Sequence, residues 1–400
     1  MIVNHAARSN RRTPELKVPD GTPSVAVVSD VLLVANNPSI TARWYGRASL
    51  KDTRRTYNAK PVWVLCYAQS EAHHLLRWSQ LHFRFSNDYG ETWSEEDKWI
   101  DGTSVLGAPM YAPTTVPGQS LRGPGEPWLY LCPNGDLLNH MWDSQYNVSN
   151  NGTYQSRSTD GGKTWSTPQK ITFINNTGIS ISSNDNIFST DDDFVYNGVI
   201  YAGAREYLNY DTFDSEIRSW LIKSTDNGNT WELVSLLSEY DDITNEYGLE
   251  YVGNDTIVSC VREFVGPPAF YTKSLNLGKT WASLTDVSSI YGTWSRQRVK
   301  TRSNVKSKVG YYRDPVVFCH GFIHVNGGNS HPRRIAVWVS KDSGETFTGP
   351  LYLKDQGYDG GYGDFLYNPI KGEYVTVQYY APTSLYDGEI RQINWKLNFT

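Results

Sequence analysis

A short turn motif recurs five times along this 400-residue chain and constrains its fold more than any other feature. The motif reads Ser-x-Asp/Asn-x-Gly-x-Thr-aromatic, and its copies begin at Ser86, Ser158, Ser224, Ser274 and Ser340. The Asp or Asn side chain can accept hydrogen bonds from nearby backbone N–H groups and hold a tight turn. The Gly can adopt a positive φ, and the Thr and the aromatic residue suit the start of a strand. Each copy therefore predicts a β-turn anchored by a buried ring.

The spacing of these copies predicts a radial architecture. Their third positions, from Asp88 to Asp342, lie 50 to 72 residues apart, and internal repeats of that length are typical of propellers and solenoids. Six predicted β-hairpins keep step with the motif and cover residues 21–34, 126–138, 192–201, 246–258, 313–325 and 362–377. We therefore predict an all-β, six-bladed β-propeller in residues 21–400, with the turn motif in five blades and an N-terminal arm of residues 1–20.

The last blade is expected to close the ring differently from the others. No turn motif follows the sixth hairpin, and the final strand-like run, residues 390–397, can pair with N-terminal strands instead. Helical periodicity is nearly absent, while Gly and Pro are frequent. The alternative architecture is a β-sandwich with long loops.

Composition excludes several classes of partner. A net charge of −5 and a pI near 5.9 argue against nonspecific nucleic-acid binding. No apolar run reaches membrane-spanning length, so no membrane insertion is expected, and the first residues lack the apolar core of a signal peptide. The expectation is a soluble chain made in the cytoplasm.

Neither a metal ion nor another cofactor is predicted. The four cysteines lie far apart in apolar runs without a Cys-x-x-Cys pair, which is typical of buried thiols. The run Asp191-Asp-Asp193 lacks the spaced ligands of a calcium loop, so a solvated turn is the better interpretation.

Polar residues are expected to converge at one end of the propeller axis. The inner strand of each blade begins there and its partner strand ends there, and ligands favour such concave ends. The residues at the predicted strand starts are Glu126, Asp192, Glu246, Arg313 and Tyr362, and those at or beyond the partner-strand ends are Trp142, Arg205, Arg262, His331 and Arg334. The simpler explanation for each of them is that strand ends are polar because loops are solvated.

With these turns and strand ends, the sequence resembles the sialidase superfamily of Asp-box β-propellers over nearly the whole chain. The resemblance implies a Tyr nucleophile activated by a Glu, an Asp acid/base, and three Arg that bind a substrate carboxylate. Tyr362 and Glu246 match the positions of the nucleophile and its activating residue. Arg262 matches one clamp arginine, and Arg334 or its neighbour Arg333 matches another.

The chain also departs from that pattern at its first hairpin. The family has Arg-Ile-Pro there, whereas this sequence reads Gly21-Thr-Pro, and Arg43 and Arg47 could substitute only through a loop. Where the acid/base Asp is expected the chain has Asn36-Asn37, with Asp52 further on. These departures favour a glycan-active relative over a sialidase in the strict sense.

The resulting prediction is an exo-acting glycoside hydrolase that acts on an acidic sugar, with Tyr362 and Glu246 as the reacting pair. Arg205, Arg262, Arg313 and Arg334 would orient the sugar, and Glu126 or Asp192 would be the alternative catalytic carboxylates. One alternative is a non-catalytic glycan-binding protein, such as a virion or host-attachment protein, with Trp128, Trp142 and Tyr207 stacking on sugar rings. Another is a propeller-type polysaccharide lyase that uses a Tyr, an Arg and one of His140, His324 and His331.

Overall fold

The computed structural model describes residues 17–34, 44–70, 79–107, 124–143, 152–189, 192–208, 217–237, 246–262, 269–292, 294–302, 315–325, 331–384 and 387–400. These residues form an all-β, six-bladed propeller, so the predicted fold class is confirmed and the β-sandwich alternative is wrong. Within the described ranges no helix is long and apolar enough to cross a membrane. The predicted arm of residues 1–20 lies mostly outside them.

The strands follow one another blade by blade after β1 (Pro23–Val34), which belongs to the last blade. Blade one holds β2 (Trp44–Tyr57), β3 (Lys60–Ser70) and β4 (Ser79–Ser86). Blade two holds β5 (Pro124–Leu131), β6 (Leu137–Asp143), β7 (Thr153–Ser158) and β8 (Gln169–Lys170). Blade three holds β9 (Phe173–Asn175), a 3₁₀ turn (Asn184–Asn186), β10 (Ile187–Phe188), β11 (Asp193–Tyr196), β12 (Val199–Tyr207), β13 (Ile217–Ser224) and β14 (Trp231–Leu236).

The second half of the chain repeats this arrangement. Blade four holds β15 (Glu246–Gly253), β16 (Thr256–Arg262), β17 (Ala269–Ser274) and β18 (Thr285–Asp286), followed by helix α1 (Ser288–Tyr291). Blade five holds β19 (Trp294–Thr301), β20 (Val317–His324), β21 (Arg333–Ser340) and β22 (Thr348–Gly357). Blade six holds β23 (Asp359–Asn368), β24 (Glu373–Ala381), β25 (Glu389–Phe399) and β1. Neighbouring strands pair antiparallel throughout the described sheets, except that β9 runs parallel to β14.

Strand β1 closes the ring by pairing with the last strand, as predicted. It lies antiparallel to β25, with Val25 opposite Leu397. Thr22 and Thr400 exchange backbone hydrogen bonds of 2.7 and 3.1 Å at the end of this pair. The first strand is therefore the outermost strand of blade six, and the ring is held together by pairing of the two chain ends.

Two of the predicted hairpins are wrong. Residues 21–34 form the single strand β1, and the inner strand of blade one is β2. The hairpin predicted to open at Arg313 is also wrong, because the inner strand of blade five is β19 and β20 is its partner. The inner strands β2 and β19 carry Arg and Lys toward the axis, so they lack the apolar pattern of a buried strand. The more apolar strands β1 and β20 therefore resemble inner strands in the sequence.

The five turn motifs follow the third strand of blades one to five and share one hydrogen-bond pattern. The Gly N–H donates to the Ser Oγ at 2.7–2.8 Å in every copy. The Thr N–H donates to the Asp or Asn Oδ1 at 2.9 Å in every copy. The turn glycine also packs against the preceding blade: Gly228, at φ +77°, lies against Leu138. The motif therefore both caps its own blade and docks that blade on its neighbour.

The hydrophobic core lies between neighbouring blades. Six apolar clusters occupy the six successive blade-to-blade interfaces. Trp63, Trp220 and Trp338 are among the largest fully buried side chains in these layers. The axis itself is lined by polar and charged groups from the inner strands, which makes it the place where chemistry can be built.

Candidate functional site

A buried ion pair marks one end of the axis in blade four. Glu246 begins β15 and Arg262 ends β16, and their Cα atoms are register partners. Arg262 Nη1 donates to Glu246 Oε2 at 2.8 Å, with both side chains largely buried. Burial opposes the charge on Arg262, but the Glu246 carboxylate and then Tyr362 outweigh it and raise the pKa of the guanidinium. The two residues that lie sixteen apart in sequence are thus held together as charged partners.

Tyr362 lies beside this pair and is the aromatic centre of the site. The Arg262 side chain hydrogen-bonds the Tyr362 side chain as well as Glu246. Tyr362 is 4% exposed, and its ring lies between those of Phe322 and Tyr379, at centroid distances of 5.9 and 6.3 Å. Tyr362 and Glu246 are therefore brought together through Arg262, which contacts both.

Blade one contributes an arginine to the same place. The Arg47 guanidinium carbon lies 5.5 Å from the centroid of the Tyr362 ring, a cation–π arrangement. Arg47 lies where the register of β2 shifts between Gly46 and Ser49, and its φ is +56°. Gly21 precedes the outermost strand of blade six and blade one begins at β2, so the first inner strand of the propeller carries Arg47.

Blade five presents Arg333 toward the site and Arg334 away from it. Arg333 forms a buried ion pair with Asp359, the first residue of β23, and lies 4.5 Å over the ring of Phe322. Arg334 lies over Tyr352 and is 3.7 Å from the exposed Asp355. Successive strand residues point to opposite faces, so the neighbouring arginines cannot both reach the axis. Of the two candidates from the sequence, Arg333 is the one that lies over Phe322, whose ring packs beside that of Tyr362.

Asp192 lies deeper in the axis, within a group that we call the axial ion cluster. This cluster consists of Lys51, Asp192, Asp193, Arg298, Lys300 and Asp364. Asp192 Oδ2 accepts the Val299 N–H at 2.6 Å, and Oδ1 is 3.7 Å from Arg298 Nη1. Burial raises the pKa of Asp192 to about 7, against the opposing effect of Arg298 and Lys300. The structure thus places Asp192 among structural ion pairs below the Tyr362 group.

The structure also describes Arg205, His331 and His140. Arg205 is buried near the end of β12, with its Cα opposite that of Phe188. His331 stacks on Tyr358, with ring centroids 4.3 Å apart. His140 is enclosed in blade two, where burial lowers its pKa to about 3. Arg313 lies outside the described residues, as do the side chains of Glu126 and Trp142.

One group of side chains has the composition of a metal site. Potential ligand atoms of His82, Glu96 and Asp97 lie within 4.8 Å of one another, in the part of the chain that the structure describes. His82 Nδ1 is 2.8 Å from Asp97 Oδ2. The Tyr67 hydroxyl group donates a hydrogen bond to Glu96 Oε2, with 2.5 Å between the two oxygen atoms. Asp97 Oδ1 also accepts the Phe83 N–H. Hydrogen bonding within the blade accounts for this group without an ion.

Two residues of the site region, Asp359 and Arg298, were missed in the sequence. Asp359 was overlooked because β23 was started at Tyr362. Arg47 was named, but as a loop residue, because the inner strand of blade one was misplaced. Arg298 did have a signal in the sequence. Arg298 and Lys300 lie on either side of Val299, and charged residues at every second position indicate a strand with one charged face. That alternation identifies β19 as an axis-lining strand.

Comparison with solved structures adds the fold relationship. No protein-family model and no curated protein matches the chain. A protein of unknown function from Dyadobacter fermentans is 18% identical with a TM-score of 0.70, over 94% of this chain and 100% of that one. A Hadza microbial sialidase is 16% identical with a TM-score of 0.61, over 90% of this chain and 66% of that one.

A third structure extends the same relationship. Trypanosoma rangeli sialidase is 12% identical with a TM-score of 0.59, over 93% of this chain and 59% of that one. The chain therefore spans about two thirds or less of the length of these two sialidases. The chain thus shares the six-bladed β-propeller fold of these structures.

Proposed function

We propose that the protein is an exo-acting glycoside hydrolase for an acidic sugar, with Tyr362 as the nucleophile. The observation that carries the proposal is that Arg262 joins Tyr362 to Glu246 at the end of the axis. A phenol has an ordinary pKa near 10 and is a weak nucleophile unless a base takes its proton. Glu246 supplies that base, and Arg262 supplies a positive charge beside the phenolic oxygen.

The proposed reaction has two steps. The Tyr362 oxygen attacks the anomeric carbon while its proton passes to Glu246, and the glycosidic bond breaks as the leaving oxygen takes a proton from solvent water, which leaves hydroxide. A second water molecule then attacks the same carbon and gives up a proton that neutralises this hydroxide, the bond from the carbon to the Tyr362 oxygen breaks, and that oxygen regains its proton from Glu246. A neutral tyrosine suits an anionic sugar, because a carboxylate nucleophile would be repelled by the carboxylate of the substrate.

The arginines support an acidic substrate. Arg47, Arg262 and Arg333 reach the Tyr362 region from blades one, four and five, through contacts to Tyr362 itself or to Phe322. A guanidinium group binds a carboxylate through paired N–H donors, so a sugar acid fits this group better than a neutral sugar. Glu246 and Asp359 hold two of these arginines in place.

Non-catalytic glycan binding is the second candidate, favoured by one observation. Tyr362 and Glu246 are each 4% exposed, and Arg47 lies over the tyrosine ring. A site so enclosed can hold a sugar acid through its arginines without turning it over. Of the three histidines of the lyase alternative, His140 is enclosed in blade two and His331 stacks on Tyr358, whereas His324 lies against Phe322 beside Tyr362.

Turnover and covalent trapping distinguish these functions. The probes are 4-methylumbelliferyl glycosides of N-acetylneuraminic acid and of glucuronic acid, with Tyr362→Phe as the matched variant. The Trypanosoma rangeli sialidase has been captured with 2,3-difluorosialic acid as a covalent intermediate, and this reagent should likewise add its sugar mass to the peptide that contains Tyr362. Binding of either sugar acid without turnover or labelling would favour the second candidate.

A further inference from the structure

We propose that Arg298 is a positioning residue for Tyr362, because it holds the Gly363 carbonyl group and thereby fixes the bulge that carries the tyrosine. The inference rests on the proposed role of Tyr362. It assigns a function to the axial ion cluster. This cluster lies below the candidate site and does not include Arg47, Arg262 or Arg333.

The backbone around Tyr362 is irregular. In the β23–β24 pair, Gly360 is opposite Tyr380 and Gly363 is opposite Gln378, so Gly361 and Tyr362 together face the single residue Tyr379. A bulge of this kind leaves part of the strand without its ladder partners and re-aims a side chain. Gly361 has a φ of +126°, and a side chain there would collide with Phe322. The position of Tyr362 therefore depends on contacts other than the regular ladder.

Arg298 supplies such a contact from β19, the inner strand of the neighbouring blade five. Its Nε–H donates to the Gly363 carbonyl oxygen at 2.9 Å, immediately after Tyr362 in the chain. Its guanidinium carbon lies 3.2 Å from the ring centroid of Trp128, and Nη1 is 3.7 Å from Asp192 Oδ1. The aromatic face and the carboxylate orient the planar guanidinium, so the Nε–H is aimed at one carbonyl group.

The next inward-facing residue of β19 strengthens the same attachment. Lys300 forms a buried ion pair with Asp364, and its Nζ is 3.4 Å from the Phe365 carbonyl oxygen. Arg298 and Lys300 thus hold β23 directly after the bulge, at Gly363 and at Asp364. Asp192 acts one step further away by orienting Arg298, which gives this predicted catalytic carboxylate a structural role.

Arg157 provides a matched control for this arrangement. It also links a carboxylate to a carbonyl group of another blade, with Nη1 2.9 Å from Asp136 and Nη2 2.7 Å from the Asn227 carbonyl oxygen. These contacts lie next to a turn motif at the other end of the blades, away from Tyr362. Arg157→Met therefore removes a similar number of contacts without touching β23.

Amide hydrogen exchange of the full-length protein tests the anchor without a substrate. Arg298→Met should speed exchange in the peptide covering residues 359–368 by roughly ten- to a hundredfold, because a buried charge-assisted hydrogen bond is lost. Arg157→Met should leave that peptide unchanged, and Arg298→Lys should fall between Met and wild type. Equal acceleration in all blades, or none in residues 359–368, would overturn the proposal.

Steady-state kinetics test the positioning of Tyr362 on whichever of the two methylumbelliferyl glycosides is turned over. Arg298→Met should lower kcat at least about tenfold. KM should change less than about threefold, because the arginines proposed to bind the sugar acid, Arg47, Arg262 and Arg333, are all still present. An unchanged kcat in a variant with faster local exchange would overturn the proposal. If the wild type turns over neither glycoside, the proposed function fails, whereas the exchange result still decides whether Arg298 anchors the bulge.

Discussion

Arg262 donates a hydrogen bond to Glu246 at 2.8 Å directly across the β15–β16 pair, in a place where both side chains are largely buried. The same guanidinium hydrogen-bonds Tyr362. One arginine therefore connects a carboxylate at a strand start to a phenol in another blade. This relationship defines the candidate site and leads to the first prediction.

Removing one partner of the Glu246–Arg262 pair should lower the free energy of unfolding more than removing both partners. Glu246→Ala leaves a buried guanidinium without its carboxylate and should lower the free energy of unfolding by about 3–5 kcal/mol. The double variant Glu246→Ala/Arg262→Ala should recover part of that loss. Urea unfolding of the two single variants and the double variant measures the coupling, and strictly additive losses would show that the pair is not coupled.

Tyr362→Phe should abolish turnover while preserving the fold. The phenyl ring retains its packing between Phe322 and Tyr379 but loses the nucleophilic oxygen. We expect kcat to fall roughly a thousandfold or more. The matched control is Tyr380→Phe, which removes a hydroxyl group from another tyrosine of the same blade. Tyr380 hydrogen-bonds the Gln356 carbonyl oxygen and packs near Lys354 and Arg391. Comparable activity of Tyr362→Phe and the wild type would rule out the tyrosine mechanism.

The neighbouring arginines of β21 should differ sharply. Arg333→Ala removes a guanidinium group that Asp359 holds over the Phe322 ring. KM for the sugar acid should therefore rise roughly ten- to a hundredfold. Arg334→Ala removes an outward side chain beside Asp355 and should change KM less than about twofold. Initial-rate measurements on both variants decide the matter, and the reverse ranking would place the clamp on the other face of the strand.

Asp192 should make stability fall as the pH rises toward 7. Burial raises its native pKa to about 7, above the ordinary value of 3.8, so the native state binds more protons than the unfolded state between these values. The contribution of Asp192 to stability is therefore complete below about pH 4, is lost as the pH rises from there through about 7, and changes no further at higher pH. The expected slope is at most about 1.4 kcal/mol per pH unit.

The variant Asp192→Asn isolates this contribution from other titrating groups, such as Asp364, whose pKa the neighbouring Lys300 and Arg298 hold down in spite of burial. The stability of Asp192→Asn relative to the wild type should rise between pH 5 and pH 8. Urea unfolding at several pH values provides the measurement. A constant difference between the two proteins would mean that Asp192 ionises as it does in the unfolded chain.

The turn glycines should be intolerant of a side chain for two separable reasons. Gly228 and Gly198 have nearly the same φ, +77° and +78°, but of the two only Gly228 lies against a buried neighbour, Leu138. Gly198→Ala should cost about 1 kcal/mol from backbone strain. Gly228→Ala should cost roughly 2 kcal/mol more because of overpacking between blades. Thermal unfolding compares them, and equal losses would show that blade docking plays no part.

The sequence predicted the fold well because the information about it is local. Each turn motif specifies its own hydrogen bonds, from Ser86 and Asp88 in the first copy to Ser340 and Asp342 in the last. Regular repetition of such a turn implies blades, and a sixth hairpin without it implies closure by a terminal strand. The pairing of β1 with β25 confirmed that closure.

Prediction was weaker where a strand faces the axis. Blades one and five were given the wrong inner strands, because β2 and β19 carry charged residues such as Arg47, Arg298 and Lys300. The sequence also favoured Arg334 over its neighbour Arg333, whereas Arg333 is the one beside Phe322, since a shift of one residue reverses the face of a strand. Glu246, Arg262 and Tyr362 were identified through the resemblance, and their strand positions were consistent with it.

By itself, the sequence determined the number of blades, the turns between them and the strand that closes the ring, since each follows from hydrogen bonds among residues close in the chain or from one terminal pairing. Only the tertiary structure decided which charged side chains meet at the axis. Arg47 reaches Tyr362 across more than three hundred residues of chain, and Arg298 reaches Gly363 from another blade. Such meetings depend on the phase and depth of all six inner strands together, and no local pattern records them.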